Sequence, residues 1–468
     1  MLATQLAQLL DDPRPAVADA LEVVVGFDTG LVHGLGRLGE ERTAGLAALA
    51  GAVAGSPLGT RAAEAVDKVA AGSIADDHLA ALAGARAALL GAVHDALVSD
   101  LDAALNRSRA AWPAEAAPGS PVPGTENLLG GCRSWLHELA IAGWRGVDHD
   151  LVSAADQTVE ALLAEPRLRR LAVLLDGLVA ELRASCPVAT MERVPVRRWA
   201  DLWTRALLLA QPTARHGGVE AAERVSGRLL ILGVDVHEHG TALQLQVHGV
   251  LEPSGGAGPL LVRTGVVTGK VDTIVGPALW RLPRGCPVLL GALAEQRVLE
   301  VTELPLLPSG DLIWQDDHAR AGEVVDPFAV ARVQLAGATA PAVPPLDRHP
   351  VRIAEPVLLE GYTATAADDG TVTLELAGHA LPVDLDRLPA CGPLTAEHVV
   401  KASACLGLLR WDGGRWLVQP LAVQIATKRK TAVMHNGEWA AGVKGARAGK
   451  AGDAVAVLRE RAGRLLRR

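Results

Sequence analysis

The stretch VSGRLLILGVDVHEHGTALQLQVHGVL, residues 225–251, marks the place where the spacing of apolar residues changes along the chain. Within it, RLLILGVDV and TALQLQVHGVL alternate or run apolar with β-branched residues, and HEHG joins them. A period of two is typical of strands, so the stretch predicts a β-hairpin. Upstream, apolar residues recur every three or four positions, which is the spacing of helices. We therefore expect an α+β multidomain chain with a helical amino-terminal half and a β carboxy-terminal half.

Strand-like runs continue after the hairpin: LLVRTGVV, PVLLGALA and RVLEVTELPLL. The Pro-rich segment 338–350, ATAPAVPPLDRHP, then interrupts the pattern and predicts a linker. Because strand-like runs begin again beyond it, we predict a tandem of two small antiparallel β modules at 225–325 and 350–425. Small β units are often closed or half-closed barrels, because closure removes sheet edges, and an OB-like barrel is one candidate.

Two pairs of segments support the tandem. Residues 355–381, EPVLLEGYTATAADDGTVTLELAGHAL, have the same order of strand, turn ending in Gly-Thr and strand as the opening hairpin. Residues 404–423, ACLGLLRWDGGRWLVQPLAV, resemble residues 285–307, GCPVLLGALAEQRVLEVTELPLL. In each of these a Cys opens the expected hairpin and an Arg follows the turn. The two offsets differ, so we expect loops of different length in the two modules.

The amino-terminal half is predicted to contain a helical domain at 1–110 and a further helical segment at 128–212. Both are rich in strong helix formers with apolar residues three and four positions apart. Asp76 and Asp77 are well placed to cap the long helix that begins DDHLAAL. Segment 111–127 has four prolines and no periodicity, so we interpret it as a loop or linker.

Two tryptophans lie one helical turn apart in VPVRRWADLWTRALLLAQP, residues 194–212. A proline near each end suits the start and the stop of a helix, and Trp199 and Trp203 then share its apolar face. We interpret both as buried at the seam between the helical and β halves. With Arg198 and Arg205 they form a candidate interdomain contact. The alternative is a docking site for a partner, because Trp and Arg are enriched at binding hot spots.

Composition limits the class of protein. The 468 residues are 49% apolar and 21% charged, which is typical of globular chains, and apolar runs of transmembrane length are missing. The five cysteines are dispersed and form no CxxC pair, which favours free thiols in a reducing compartment. The first residues lack the features of a signal peptide, so we expect a cytoplasmic location.

Charge is distributed unevenly. Residues 424–468 contain 11 Lys or Arg and 3 acidic residues, which leaves a formal charge of −16 on residues 1–423. We predict a basic tail at 426–468 that ends in a short amphipathic helix. Its clustered cations are candidate contacts for an anionic partner: Lys428, Arg429, Lys430, Arg464, Arg467 and Arg468.

Familiar site motifs do not fit their context. GLGRLG (34–39) has the dinucleotide-binding spacing, but the strand-like run EVVVGF before it ends too early and no second acidic-ended strand follows. GVVTGKV (265–271) lacks the Ser or Thr that a phosphate-binding loop needs and lies among strands. His237 and His239 flank a turn, where solvent exposure is a better explanation than a zinc site. We assign no catalytic, cofactor-binding or metal residues.

These observations favour a non-catalytic cytoplasmic scaffold or adaptor subunit of a multi-protein assembly, with protein partners. The alternative is a nucleic-acid-binding protein that uses the β modules and the basic tail. Trp411 and Trp416 could stack on bases in that case. They flank the DGG turn, however, which favours a cross-strand structural pair.

Overall fold

A computed structural model describes residues 15–113, 124–212, 222–271, 273–426 and 431–442, with isolated positions at 5, 7, 9, 10 and 214. The fold is α+β, with helices before residue 212 and mainly antiparallel sheets after it. The predicted linker 111–127 and the predicted tail helix lie largely outside the described residues. We call the described parts of 15–212 the helical region, 223–324 the first β region and 355–435 the second β region.

The helical region contains these α-helices within the described residues: α1 (Pro15–His33), α2 (Glu40–Ala52), α3 (Gly59–Ala70), α4 (Asp76–Leu105), α5 (Glu126–Ala142), α6 (His149–Ser153), α7 (Asp156–Leu163), α8 (Arg169–Ser185) and α9 (Val196–Leu209). The strand-like interpretation of EVVVGF is wrong, because these residues lie in the middle of α1. Asp76 and Asp77 occupy the first turn of α4 instead of its cap position, which is Ala75. Carboxylates in a first turn still favour the helix through its dipole.

GLGRLG forms the turn between α1 and α2. Gly34 has φ 86°, and a Cβ there would lie 2.3 Å from the carbonyl oxygen of Ile141 at the end of α5. Only glycine fits such a close approach of two backbones in this conformation. The glycines therefore serve helix packing.

The first β region consists of β1 (Glu223–Glu238), β2 (Ala242–Pro253), β3 (Leu260–Gly269), α10 (Pro287–Glu295), β4 (Arg297–Leu306), β5 (Asp311–Leu312) and β6 (Ala319–Val324). Strand β1 pairs antiparallel with β2 and also with β4. Strand β2 pairs with β3, β3 pairs in parallel with β5, and β5 pairs with β4. The pairings thus run β1–β2–β3–β5–β4 and return to β1.

PVLLGALA is a helix, α10, and the predicted strand is wrong. A short run that is apolar throughout has the same appearance in a buried strand and a buried helix. Its ends decide the matter: Pro287 stands at the first helical position, and Gln296 ends the helix in the left-handed conformation.

The second β region begins after α11 (Pro327–Gln334) and consists of β7 (Glu355–Glu360), β8 (Thr363–Ala366), β9 (Val372–Leu376), β10 (His379–Pro382), α12 (Ala396–Val400), β11 (Ala404–Asp412), β12 (Arg415–Ala426) and β13 (Thr431–His435). Strand β13 lies within the segment predicted as a tail and pairs with β12. The β region therefore extends past the predicted limit at residue 425.

Its pairings follow the same order as those of the first β region. Strand β7 leads through a bend into β8, which pairs with β9, and β9 pairs with β10. Val383, just after β10, forms a parallel bridge with Val418 in β12. Strand β12 pairs with β11, and β11 pairs with β7. With β7 and β8 counted as one strand, a helix precedes the fourth strand in each region, so β11 corresponds to β4. The second proposed segment match, of 404–423 with 285–307, is therefore displaced by one element, because it aligned β11 with the helix α10.

Apolar clusters join the regions. The first half of α4 packs in the helical core, whereas Val93, Leu97 and Leu101 in its second half pack against the second β region. Helix α11 fills the space between the two β regions, with Phe328 fully buried among residues of β1, β2 and β11. Helix α4 is the one helix in the described residues long and apolar enough to cross a membrane, and 56% of its most apolar window is buried inside the protein.

Candidate functional site at the seams between regions

Trp199 and Trp203 lie in the helical core. Their exposed fractions are 1% and 0%, and Trp199 makes an edge-on contact with Trp144 at a ring distance of 6.0 Å. The indole N–H of Trp203 donates to the carbonyl of Leu136 in α5 at 2.9 Å. Both tryptophans pack among the helices α1 to α9, so their expected position at the seam with the β half is wrong.

The arginines of α9 reach the seam instead. Arg205 lies 3.2 Å from Asp347, which also binds Arg170 at 2.8 Å and Arg352 at 2.7 Å. Burial by itself would raise the pKa of Asp347, but the surrounding arginines lower it below its ordinary value. Asp347 therefore holds helical arginines against the segment that enters the second β region.

The start of α9 and the segment after α4 also carry arginines that form ion pairs. Arg198 binds Glu181 within the helical region, with Nε 2.8 Å from Oε1. Arg197, next to it, binds Asp412 in the turn between β11 and β12 at 2.6 Å. After α4, Arg109 bridges Asp102 at 2.6 Å and Glu355 at 3.0 Å. Sequence reasoning missed both contacts between regions, since Asp412 and Glu355 are more than 200 residues away from Arg197 and Arg109.

A buried polar cluster joins the two β regions. Asp235 in β1 accepts hydrogen bonds from Arg410 at 2.8 Å and from Gln419 at 2.7 Å, and His237 lies 2.7 Å away. Arg410 in turn donates to Gln419 at 2.6 Å. Burial opposes ionisation of Asp235, but His237 and Arg410 hold its pKa well below the ordinary value. A buried charge pair with complete hydrogen bonds fixes how the two regions meet.

Polar residues of the first β region serve the fold or lie buried in it. His248 is 3% exposed, and groups of three or more potential metal ligands are missing from the part of the chain that the structure describes. Asp316 accepts hydrogen bonds from the backbone N–H groups of Val288 and Leu289 and so caps α10. The first five residues of GVVTGKV, 265–269, form the end of β3, as the strand context indicates.

The aromatic side chains are covered. Trp411 and Trp416 face each other across the β11–β12 hairpin with ring centroids 5.2 Å apart, the predicted cross-strand pair. Of the ten tryptophans, seven are buried and three are partly buried. The seven buried indoles thus contribute to the apolar cores.

The outer edge of β3 is open beyond Thr264. The partner strand β5 ends at Leu312, opposite Thr264. The backbone N–H groups of Leu261 and Arg263 bond towards this edge, and by alternation those of Val267 and Gly269 face it as well. The described residues provide them with no partner strand. Val267 is 67% exposed, and the exposed Val271 and Val275 follow it.

Charge does not protect this edge. Strands are often shielded from pairing with other chains by lysines, prolines or bulges. Lys270 at the end of β3 has a side chain only 3% exposed and lies 3.3 Å from Glu238. The neighbouring outward residues of β2 include Gln244 and Gln246, which are neutral. The edge is therefore neutral, weakly apolar and able to accept a further strand.

The predicted anionic-partner contacts Lys428, Arg429, Lys430, Arg464, Arg467 and Arg468 lie outside the described residues. Comparison with protein-family models, with curated proteins and with solved structures found no match to this chain.

Proposed function

We propose that the chain is a non-catalytic cytoplasmic scaffold or adaptor subunit that binds protein partners. The observation that carries the proposal is the open, neutral edge of β3 around Val267. An extended peptide can add to such an edge through backbone hydrogen bonds, and side-chain contacts then supply selectivity. The partner segment that fits is an extended, uncharged strand with an apolar side chain against Val267.

The rest of the molecule supplies a rigid support for that edge. We infer that each β region is a half-closed barrel of the OB type, in tandem, since the pairings return to the first strand and β3 runs parallel to β5, as the segment after β10 does to β12. The ion pairs of Asp347 connect the helices with the segment that enters the second unit, and the Asp235–Arg410 pair connects the two units with each other. A fixed arrangement of modules suits a protein whose role is to hold a partner in a defined place.

The test places a charge on the edge. In the native host, tagged wild-type protein should co-purify with a defined partner, and Val267→Lys should lose that partner, because a lysine blocks strand addition. Val333→Lys is the matched control, since Val333 is 75% exposed on α11, away from β3. A wild-type protein that is recovered alone and monomeric would contradict the proposal, and so would equal loss of the partner in both variants.

A second candidate, nucleic-acid binding, draws support from the OB-like order of strand pairings, because OB folds bind oligonucleotides on strands two and three. Here that face of β2 and β3 is neutral, so binding would depend on the basic residues of the tail, both those at 428–430 and those beyond 442. Binding of a fluorescent single-stranded oligonucleotide should then weaken steeply with salt and vanish in a protein truncated after Gly442 in which Lys428, Arg429 and Lys430 are also replaced by alanine. This truncation keeps β13, which belongs to the sheet. Absence of binding at low salt would exclude the candidate.

A further inference from the structure

A cavity of about 100 Å³ lies where the helical region meets the second β region. It lies between α1, α4, the segment at His349 and the β11–β12 turn, and Asp28, Arg86, Arg197, His349 and Trp411 contribute to its wall. The cavity is separate from the open edge of β3. Its volume corresponds to a few water molecules, at about 30 Å³ each in the liquid, or to one small ion.

Three residues that line this cavity have a buried hydrogen-bond donor with no acceptor in the described residues: Arg86 at Nη1, His349 at Nε2 and Trp411 at Nε1. These residues are 0%, 5% and 8% exposed. The other two guanidinium nitrogens of Arg86 bind Asp28 at 2.6 and 2.9 Å, which leaves only Nη1 unpaired. Buried donors without partners are rare, because each costs the free energy of its lost hydration.

The protonation of His349 follows from its contacts. Its Nδ1 accepts a hydrogen bond from the backbone N–H of Val351 at 3.2 Å, so Nε2 carries the proton. Asp201 is the nearest carboxylate to Nε2, at 3.8 Å, which is too far for a hydrogen bond. Burial lowers the pKa of His349 to about 4, so the ring is a neutral donor at pH 7.

We propose that this cavity binds a small tetrahedral oxyanion such as phosphate or sulfate. A water molecule brings two donors of its own along with its two lone pairs, so even the few waters that fit here add no net acceptors for the three donors. A tetrahedral oxyanion brings only acceptors, and guanidinium, imidazole and indole N–H groups together provide suitable partners. The charge of Asp28 is compensated by Arg86, and that of Asp412 by Arg197, so neither carboxylate leaves an uncompensated negative charge in the wall.

The experiment follows the indole N–H resonances of ¹⁵N-labelled full-length protein by NMR during titration with inorganic phosphate, sulfate, glycerol phosphate or acetate at pH 7 and constant ionic strength. Trp411→Phe identifies the Trp411 resonance, and the other nine indoles serve as internal references. We expect a saturable shift of the Trp411 resonance with phosphate or sulfate. Response to glycerol phosphate as well would identify a phosphate group of a larger molecule as an acceptable ligand.

The variants test the donor set. His349→Phe and Trp411→Phe should each weaken phosphate binding about tenfold to a hundredfold, as expected for loss of a hydrogen bond to a charged group and measured by calorimetry. Trp416→Phe, which changes the other indole of the same hairpin and does not line this cavity, should bind as wild type does. Circular dichroism and thermal unfolding establish that the variants fold. The proposal is overturned if the Trp411 resonance stays fixed with both tetrahedral ions, or if acetate alone moves it.

Discussion

At the scale of single residues, the seams depend on buried polar groups whose partners are distant in sequence. Asp235 and Arg410 are 175 positions apart, and Arg205 and Asp347 are 142 apart. Asp235 stands among apolar residues in RLLILGVDV, and nothing near it in the sequence indicates its partner Arg410. Local patterns report which face of a strand or helix is apolar, whereas long-range pairs depend on how whole elements pack.

One prediction at this scale concerns His248, whose pKa is lowered by burial from 6.5 to about 4. As pH falls below 6.5, the unfolded chain binds a proton that the folded protein excludes, so His248 makes stability fall with decreasing pH. Between pH 7 and pH 5 this amounts to about 2 kcal/mol. His248→Leu should reduce the loss of unfolding free energy over that interval by this amount, measured by urea denaturation at both pH values. A variant that loses as much stability as wild type would contradict the assignment.

At the scale of elements, spacing predicted most helices and the strands of the opening hairpin, and it failed where a segment was apolar on every side. PVLLGALA gave no period, so only its terminal residues could distinguish helix from strand, and EVVVGF was misread for the same reason. The two segment matches that predicted the tandem include the β8–β9 and β11–β12 hairpins. The second match aligned the strand β11 with the helix α10, because the two have similar apolar composition. Strand order could not be read at all, since it depends on pairing and not on local pattern.

A prediction for the element β1 concerns its close approach to β12. Gly233 lies at an irregularity in the pairing of β1 with β2, and a Cβ there would lie 2.7 Å from Cβ of Leu421. Gly233→Ala should therefore push the two β regions apart and lower the unfolding free energy by about 1–3 kcal/mol, as overpacking does. Gly265→Ala in β3, where a Cβ meets open space, is the matched control and should leave stability nearly unchanged. Equal unfolding midpoints in urea for the two variants would show that the strands do not approach closely.

At the scale of the whole molecule, α4 and the ion pairs link the helical region with the β regions, which the sequence pattern shows only as separate segments. A helix of 30 residues spans about 45 Å, and α4 uses this length to enter the helical core with one half and the second β region with the other. The Trp-bearing helix contacts the second β region through Arg197, whose partner Asp412 lies in the β11–β12 turn, and it contacts the segment before that region through Arg205 and Asp347. In α9 the large apolar side chains Trp199 and Trp203 belong to the helical core, while charged side chains of the same helix make the connection.

The last prediction separates these two roles by hydrogen exchange. Trp203→Ala leaves a cavity among the helices and should lower the stability of the helical region by about 3–5 kcal/mol, so amide exchange should rise across α5, α8 and α9. Asp347→Ala leaves Arg170, Arg205 and Arg352 without their shared carboxylate and should raise exchange around residues 345–353 while the helical core keeps its protection. If Trp203→Ala instead exposed residues 345–353 first, the indole would act at the seam and not in the helical core.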